Sequence, residues 1–132
     1  MSVIVTDDGF RPDDFTGSYV AMGETGAAID VPSDADVFTL KGALDGVEMI
    51  RIDFPSFSDG RGFSLAGRLR RMGYRGRLRA RGHVIADQYA MARRMGFDEV
   101  EISDELAARQ TEDQWLARAD WQAFHHQARL RG

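Results

Sequence analysis

Three strand-like segments alternate with three helical segments in the second half of the chain, and this order restricts the fold more than any other feature. The strand patterns cover residues 47–54, 77–81 and 97–102, and the helical patterns cover 63–72, 83–95 and 103–110. Short connections between such elements almost always make consecutive strands parallel neighbours with right-handed crossovers. The sequence therefore predicts an α/β protein with a small parallel sheet from three consecutive strand-helix units, either an open sheet or part of a β/α barrel.

The ends of these segments carry residues that stop strands and helices. Pro55 follows the first strand pattern, and Gly73 and Gly96 follow the first two helical patterns, where a left-handed residue commonly ends a helix. Ser103 or Asp104 is predicted to cap the third helix, because either side chain can accept a backbone N–H.

The arginines of these segments are predicted to face water. In the strand at 77–81, Leu78 and Ala80 alternate with arginines, a pattern that indicates one apolar face and one solvated face. The same orientation is expected for three arginines of the first helix, Arg68, Arg70 and Arg71.

The N-terminal region has a weaker pattern. Residues 1–34 are predicted to form an irregular or β-rich arm, as a small antiparallel unit with short strands near 2–6, 19–22 and 28–31. After this arm, residues 37–44 are predicted to form a short helix that Ser33 caps.

The chain is predicted to form a single domain, residues 1–132, in which 35–110 is the α/β core. Its last part, residues 111–132, is predicted to be a C-terminal helix. One apolar stripe of this helix is predicted to contain Trp115, Leu116, Ala119, Ala123 and Phe124. The helix is expected to pack its indoles, Trp115 and Trp121, on the domain or on a second subunit.

Length and composition exclude several classes of protein. The 132 residues suffice for one compact domain but not for two of ordinary size. No apolar run approaches the roughly 20 residues that span a bilayer, and the N-terminus does not resemble a signal peptide, so we expect a cytoplasmic protein without a membrane partner.

The lack of cysteine excludes disulfides, thiolate nucleophiles and cysteine-ligated clusters. No cofactor is predicted, because no binding motif for one is recognised.

Charge is divided unevenly along the chain. Residues 61–95 contain ten arginines and one aspartate, whereas both flanks are acidic and the formal net charge is −4. Three interpretations of this basic segment remain open: a solvated face paired with the acidic flanks, a surface that binds an anion, or a surface that docks on another protein.

The loop after the first strand pattern contains Asp59, Gly60, Arg61 and Gly62. The two glycines permit a positive φ, so that backbone N–H groups could form an anion nest at the start of the next helix. Arg61 could bind phosphate, sulfate or carboxylate with two parallel hydrogen bonds. Structural roles are the alternative: Asp59 would cap the helix, and Arg61 would bridge to Asp53 or Asp87.

A second loop follows the next strand and contains Arg81, Gly82, His83, Asp87 and Gln88. Ligands of parallel sheets bind beyond the carboxyl ends of the strands, so Arg81 and Gln88 are predicted as ligand-binding residues. His83 and Asp87 are the candidate catalytic residues, with the imidazole carrying a proton beside a carboxylate. The alternative is that His83 only satisfies a buried carbonyl.

Metal and nucleic-acid sites are not predicted. His125 and His126 are sequence neighbours, which on a helix lie about 100° apart and cannot chelate one ion well. The arginines belong to no nucleic-acid-binding motif and are not interleaved with aromatic residues.

Three blocks of the sequence, 54–64, 69–82 and 87–98, resemble the bacterial family called domain of unknown function 934, with a likeness over about residues 35–105. The resemblance implies an uncharacterised, probable oxidoreductase involved in sulfite reduction, encoded near sulfite reductase and sulfonucleotide reductase. It supplies no catalytic residues. The matching positions most similar to a site are Asp59, Gly60, Arg61, Gly62, Arg81, Gly82, Asp87 and Gln88.

These observations lead to three hypotheses of function. The first is an accessory protein of assimilatory sulfate or sulfite reduction, not redox-active by itself, that binds an anionic ligand or docks on sulfite reductase or sulfonucleotide reductase. The second is a small enzyme acting on an anionic substrate, with Arg61, Arg81 and Asp87 in one pocket. The third is a structural homodimer that carries Trp115 and Trp121 into its interface.

Overall fold

The computed structural model describes residues 2–122. The strands are β1 Ser2–Thr6, β2 Gly9–Arg11, β3 Tyr19–Ala21, β4 Ala28–Val31, β5 Met49–Phe54, β6 Arg77–Gly82 and β7 Glu99–Ser103. The helices are α1 Arg61–Arg71, α2 Tyr89–Met95, α3 Asp104–Arg109 and α4 Glu112–Leu116, with 3₁₀ turns at Val37–Leu40 and Ala86–Gln88.

The strands form one sheet in the order β2-β1-β7-β6-β5-β4-β3. Strands β3 to β7 pair in parallel, and β1 pairs antiparallel with both β7 and β2. The predicted α/β class is thus confirmed, and β5-α1-β6-α2-β7 are the predicted strand-helix units. The prediction of an antiparallel N-terminal arm is wrong for β3 and β4, because these strands add in parallel to the free edge of β5.

One face of the sheet packs against the helices and forms the apolar core. Ile52, Ala80 and Val100 are register neighbours on β5, β6 and β7, and all three are fully buried. At the end of β5, the ring of Phe54 contacts Phe63 of α1, with the centroids 4.9 Å apart. Fully burying an apolar side chain of this size stabilises the fold by about 1.5–3 kcal/mol.

The helix boundaries confirm three sequence signals. Gly73 and Gly96 have φ of +97° and +113° at the ends of α1 and α2, a conformation that glycine adopts without a steric penalty. Ser103 caps α3, since its Oγ accepts the backbone N–H of Leu106 at 3.1 Å.

Two helix predictions need correction. The predicted helix at 37–44 is a single 3₁₀ turn capped by Asp36, whose Oδ1 accepts the N–H of Phe38 at 3.1 Å. Ser33 does not cap it, and Gly42, with a φ of +83°, follows the turn. The helix predicted from residue 83 begins only at Tyr89, after the second 3₁₀ turn.

The opposite face of the sheet is charged and partly covered, which overturns the prediction that Arg79 faces water but not the same prediction for Arg81, which is exposed. Arg79 on β6 is 0 % exposed, and its guanidinium donates to Glu99 at 2.6 Å and to Glu101 at 3.0 Å on β7. Solvation cannot stabilise a cation at this depth, so the neighbouring strand supplies the compensating charge.

The connection between β2 and β3, residues 12–18, forms a strap over this charged face. It joins opposite edges of the sheet. Asp13 accepts two hydrogen bonds from Arg79, each 3.0 Å long, and Asp14 accepts one from Arg77 at 3.0 Å. After the strap, the ring of Tyr19 lies 3.7 Å from the guanidinium carbon of Arg51. The acidic N-terminal region therefore neutralises part of the basic segment.

Arg70 also departs from the expectation that it faces water. Its guanidinium donates to the carbonyl oxygens of Gly96, Tyr74 and Gly76 and to the carboxylate of Asp98. Because these acceptors lie in two different turns, Arg70 holds the loop after α1 against the end of α2. Arg68 and Arg71 are exposed, as predicted.

Helix α4 covers only the first part of the predicted C-terminal helix: it ends at Leu116, and residues 117–120 form a turn and irregular chain, so the prediction of one continuous helix is wrong there. Trp115 is 1 % exposed and packs edge-on against Tyr89, whereas Leu116 is 40 % exposed. Ala119 of the predicted apolar stripe is partly buried, and Ala123 and Phe124 lie outside the described residues. None of the helices within residues 2–122 is long and apolar enough to cross a membrane.

Replacing Asp13 with asparagine is expected to weaken the strap in a pH-dependent manner. Burial alone would raise the pKa of Asp13, but hydrogen bonds from Arg79 outweigh it and hold that pKa below its usual value. The stability from this pair is thus fully present above the unfolded-state pKa of about 3.9 and is lost as pH falls through the lower folded-state pKa. At pH 7, D13N should lower the free energy of unfolding by about 1 kcal/mol.

Urea unfolding at a series of pH values between 7 and 2.5 measures this effect. The gap between wild type and D13N should shrink toward the acidic end, because the wild-type carboxyl is then protonated. D45N is the matched control, since Asp45 is exposed and has no ion pair with another described residue. A gap that stays constant over this range would contradict the assignment.

Candidate functional site

The loop between β5 and α1 is closed on itself by its own ion pair. Asp59 Oδ1 accepts the backbone N–H of Arg61 at 3.1 Å, while the Arg61 guanidinium donates to both carboxylate oxygens at 2.9 and 2.7 Å. A further bond of 3.1 Å runs from Arg61 Nη2 to Ser33 Oγ. The hydrogen bonds from Arg61 lower the pKa of Asp59, and those to Asp59 raise the pKa of Arg61.

The glycines of this loop do not form the expected anion nest. Gly60 has a φ of −91°, and Gly62 lies inside α1 without a positive φ. A Cβ on Gly62 would lie 2.6 Å from Cζ of Phe54, whereas a Cβ on Gly60 would meet only Phe63, at 3.8 Å. Gly62 is therefore required by the close packing of α1 on a buried ring.

A third glycine shapes the end of β6. Gly82 has a φ of +116°, and a Cβ there would lie 2.7 Å from the carbonyl oxygen of Phe54. This close approach lets that oxygen accept the backbone N–H of His83 at 2.9 Å and contact His83 Nδ1 at 3.2 Å. Because a carbonyl oxygen can only accept, this contact assigns a proton to Nδ1. It also matches the structural role considered for His83.

Two adjoining clefts lie at the carboxyl ends of the parallel strands, on the face away from the core helices, and we call them together the strand-end cleft. The β4 side has a volume of about 390 Å³ and the β7 side about 360 Å³. Asp53 and Arg81 line both sides and are register partners on β5 and β6. His83 lines the β7 side.

Arg81 is held by one weak contact. Its side chain is 51 % exposed, and Nε lies 3.3 Å from Glu101 Oε2. Within residues 2–122 its two terminal guanidinium nitrogens make no hydrogen bond. They are therefore available to a ligand in the cleft.

The charge of Glu101 is divided among several donors. Its buried carboxylate accepts from Arg79 at 3.0 Å and from Arg51 at 3.2 Å, in addition to the contact with Arg81. Arg51 is also bonded to Asp30 at 2.6 and 2.9 Å. Arg51 and Arg79 are thus fully engaged, and Arg81 is the least engaged of the three.

The remaining predicted residues lie elsewhere. Asp87 pairs with Arg118 at 2.7 Å and lines a separate cleft with Trp121. Gln88 is used by the backbone, accepting from Ile85 N at 3.0 Å and donating to the carbonyl oxygen of Phe57 at 3.2 Å.

The structure brings Arg81 and His83 together but separates them from Asp87. Arg61 is engaged by Asp59 on its own loop and does not bridge to Asp53 or Asp87. Arg61, Arg81 and Asp87 each have a different ionic partner in the described part of the chain, which speaks against the expected common pocket.

Sequence reasoning considered Asp53 only as a partner of Arg61 and missed it as a cleft residue. The available signal was alternation: Asp53 and Arg81 are the last residues of their strands to point away from the helices. Among residues 2–122, no group of three or more His, Asp or Glu side chains could hold a metal ion.

The fold and cleft describe an α/β protein with a mostly parallel sheet and a polar cleft at its carboxyl edge. The family model described as "Bacterial protein of unknown function (DUF934)" matches residues 28–129, and the chain belongs to this family, which confirms the resemblance seen in the sequence. Asp53, Arg81 and His83 lie within the match. Searches of curated proteins and of solved structures found no match.

The two loop glycines are expected to respond differently to alanine. G62A should lower the free energy of unfolding by about 1–3 kcal/mol, because its Cβ overlaps a ring that the core prevents from moving. G60A, the matched control, should change it by less than about 0.5 kcal/mol. Urea unfolding checks both. Equal stability of the two variants would contradict the packing role of Gly62.

Proposed function

We propose that the protein binds a small ligand through an anionic group at Arg81 in the strand-end cleft, and that it serves sulfate or sulfite assimilation as an accessory protein without redox activity of its own. The observation that carries the ligand-binding part is the state of Arg81. This half-exposed side chain lines the cleft, its closest ion-pair distance is 3.3 Å, and within residues 2–122 its terminal nitrogens make no hydrogen bond.

The position and size of the cleft support this proposal. Ligands of open parallel sheets bind beyond the carboxyl ends of the strands, where Arg81 lies. The β4 side, at about 390 Å³, is in the range of small-molecule sites. A guanidinium can donate two parallel hydrogen bonds to a carboxylate, sulfonate or sulfate group.

The pathway part of the proposal rests on the family resemblance, which implies sulfite reduction. The chain contains no cysteine, so it cannot carry out thiol-disulfide chemistry or ligate a cluster through thiolates. An accessory protein that holds an anion for the reductase, or that docks on the reductase, requires neither thiol chemistry nor a cluster.

Replacing Arg81 with glutamine should weaken anion binding at least tenfold. One charge-assisted hydrogen bond contributes about 1.5–3 kcal/mol, and about 1.4 kcal/mol corresponds to a factor of ten. Titration of ¹⁵N-labelled protein with sulfite, sulfate and phosphate, followed by amide shifts at the ends of β5 and β6, measures the affinity. R75Q is the control, because Arg75 is exposed and has no partner among the described residues. Equal affinities of R81Q and R75Q would refute Arg81 as the anion contact.

The pathway assignment has a separate test in the bacterium. A deletion strain should grow poorly on sulfate and normally on cysteine, and the tagged protein should co-purify with sulfite reductase or sulfonucleotide reductase if it docks on either. Normal growth of the deletion strain on sulfate would count against the assimilatory role but not against ligand binding.

A further inference from the structure

Asp53 and Arg81 form an unusual pair of charges. They are direct register partners on parallel strands, at a strand separation of about 4.8 Å, and neighbouring opposite charges on one sheet face normally attract each other. Arg81 nevertheless contacts Glu101 on its other side. The carboxylate of Asp53 has no hydrogen bond or ion pair with another side chain in residues 2–122.

We propose that the ligand of the strand-end cleft is a small zwitterion, in which an anionic group binds Arg81 and an ammonium group binds Asp53. This inference rests on the proposed function and specifies its ligand class. The chemical class is an amino acid or an amino sulfonate with a short carbon chain.

The charges around the cleft favour a zwitterion over a simple anion. Asp30 is paired with Arg51, and Glu101 is shared by several arginines, so among the cleft carboxylates Asp53 is the one that has no ion pair with another residue in 2–122. An anion bound at Arg81 would lie near this carboxylate. Two like charges held close together in a cleft repel each other. An ammonium group on the same ligand replaces this repulsion with attraction.

The walls of the cleft fit a short aliphatic chain. Ala21, Met22 and Pro32 line the β4 side beside the two charges. They supply apolar contact for a short run of methylene groups, whose burial is favourable. Arg81 and Asp53 thus bind the anionic and the ammonium group of the ligand, and the apolar wall contacts the carbon atoms between these groups.

Matched pairs of ligands test the inference directly. Each pair has the same acid group and differs only in an amino or a hydroxyl group: glycine and glycolate, β-alanine and 3-hydroxypropionate, taurine and isethionate. We expect the wild-type protein to bind the amino member of at least one pair about tenfold or more tightly than the hydroxyl member, by amide-shift titration at pH 7. Absence of this preference in all three pairs overturns the inference without any variant.

Two variants assign the preference to its residues. D53N should bring the amino and hydroxyl members of the preferred pair within about twofold, mainly by weakening the amino member. R81Q should weaken both members. The control D45N should retain the wild-type preference, and unfolding curves confirm that each variant is folded. A preference that survives in D53N overturns the role of Asp53.

The outcomes separate this inference from the proposed function. Anion binding that depends on Arg81, without any preference for an amino group, overturns the zwitterion and leaves the proposed function standing. Failure of wild type to bind any acid, including sulfite and sulfate, overturns both. Tight binding of an amino member that is lost in both D53N and R81Q supports both.

Discussion

The buried guanidinium of Arg79 is the interaction on which the charged face of the sheet depends. It lies in the middle of β6, is 0 % exposed, and is bonded to Glu99, Glu101 and Asp13. Breaking a buried ion pair from one side costs about 3–5 kcal/mol, since a charge is left without compensation. These partners therefore fix how β7 and the strap lie relative to β6, and they allow a sheet with one apolar face to be covered on both sides.

The same network determines which charges remain for a ligand. Glu101 is oriented by Arg79 and also accepts from Arg51, so its oxygens have little capacity left for Arg81. Arg81 gains only one long contact, yet that contact turns it away from Asp53. An acid and a base that are adjacent in the sheet are thereby kept apart at the edge of the cleft. Within residues 2–122 Asp53 and Arg81 form no ion pair with each other, and Arg81 instead shares Glu101 with Arg79, two residues earlier on β6.

The sequence predicted the parts of the fold that depend on local patterns. The alternation at Leu78 and Ala80, the glycines after α1 and α2, and the cap at Ser103 each act through neighbouring residues, and each was read correctly. Arg79 was misread because an alternating arginine in a strand normally indicates solvent. Its partner Asp13 lies 66 positions away, and no local pattern indicates that the strap crosses the sheet above it.

The candidate site illustrates the same distinction. The motif at residues 59–62 is easy to recognise in the sequence because its charges and glycines are contiguous. The same contiguity lets Arg61 donate its hydrogen bonds to Asp59 within one loop. Asp53 and Arg81 are 28 positions apart and meet only through the parallel pairing of β5 and β6. Charged groups that pair within their own loop stabilise that loop, and few of their hydrogen-bonding atoms remain for a ligand. Asp53 and Arg81 are brought together by the sheet and form no ion pair with each other within residues 2–122. The proposed ligand binding rests on these two charges for that reason.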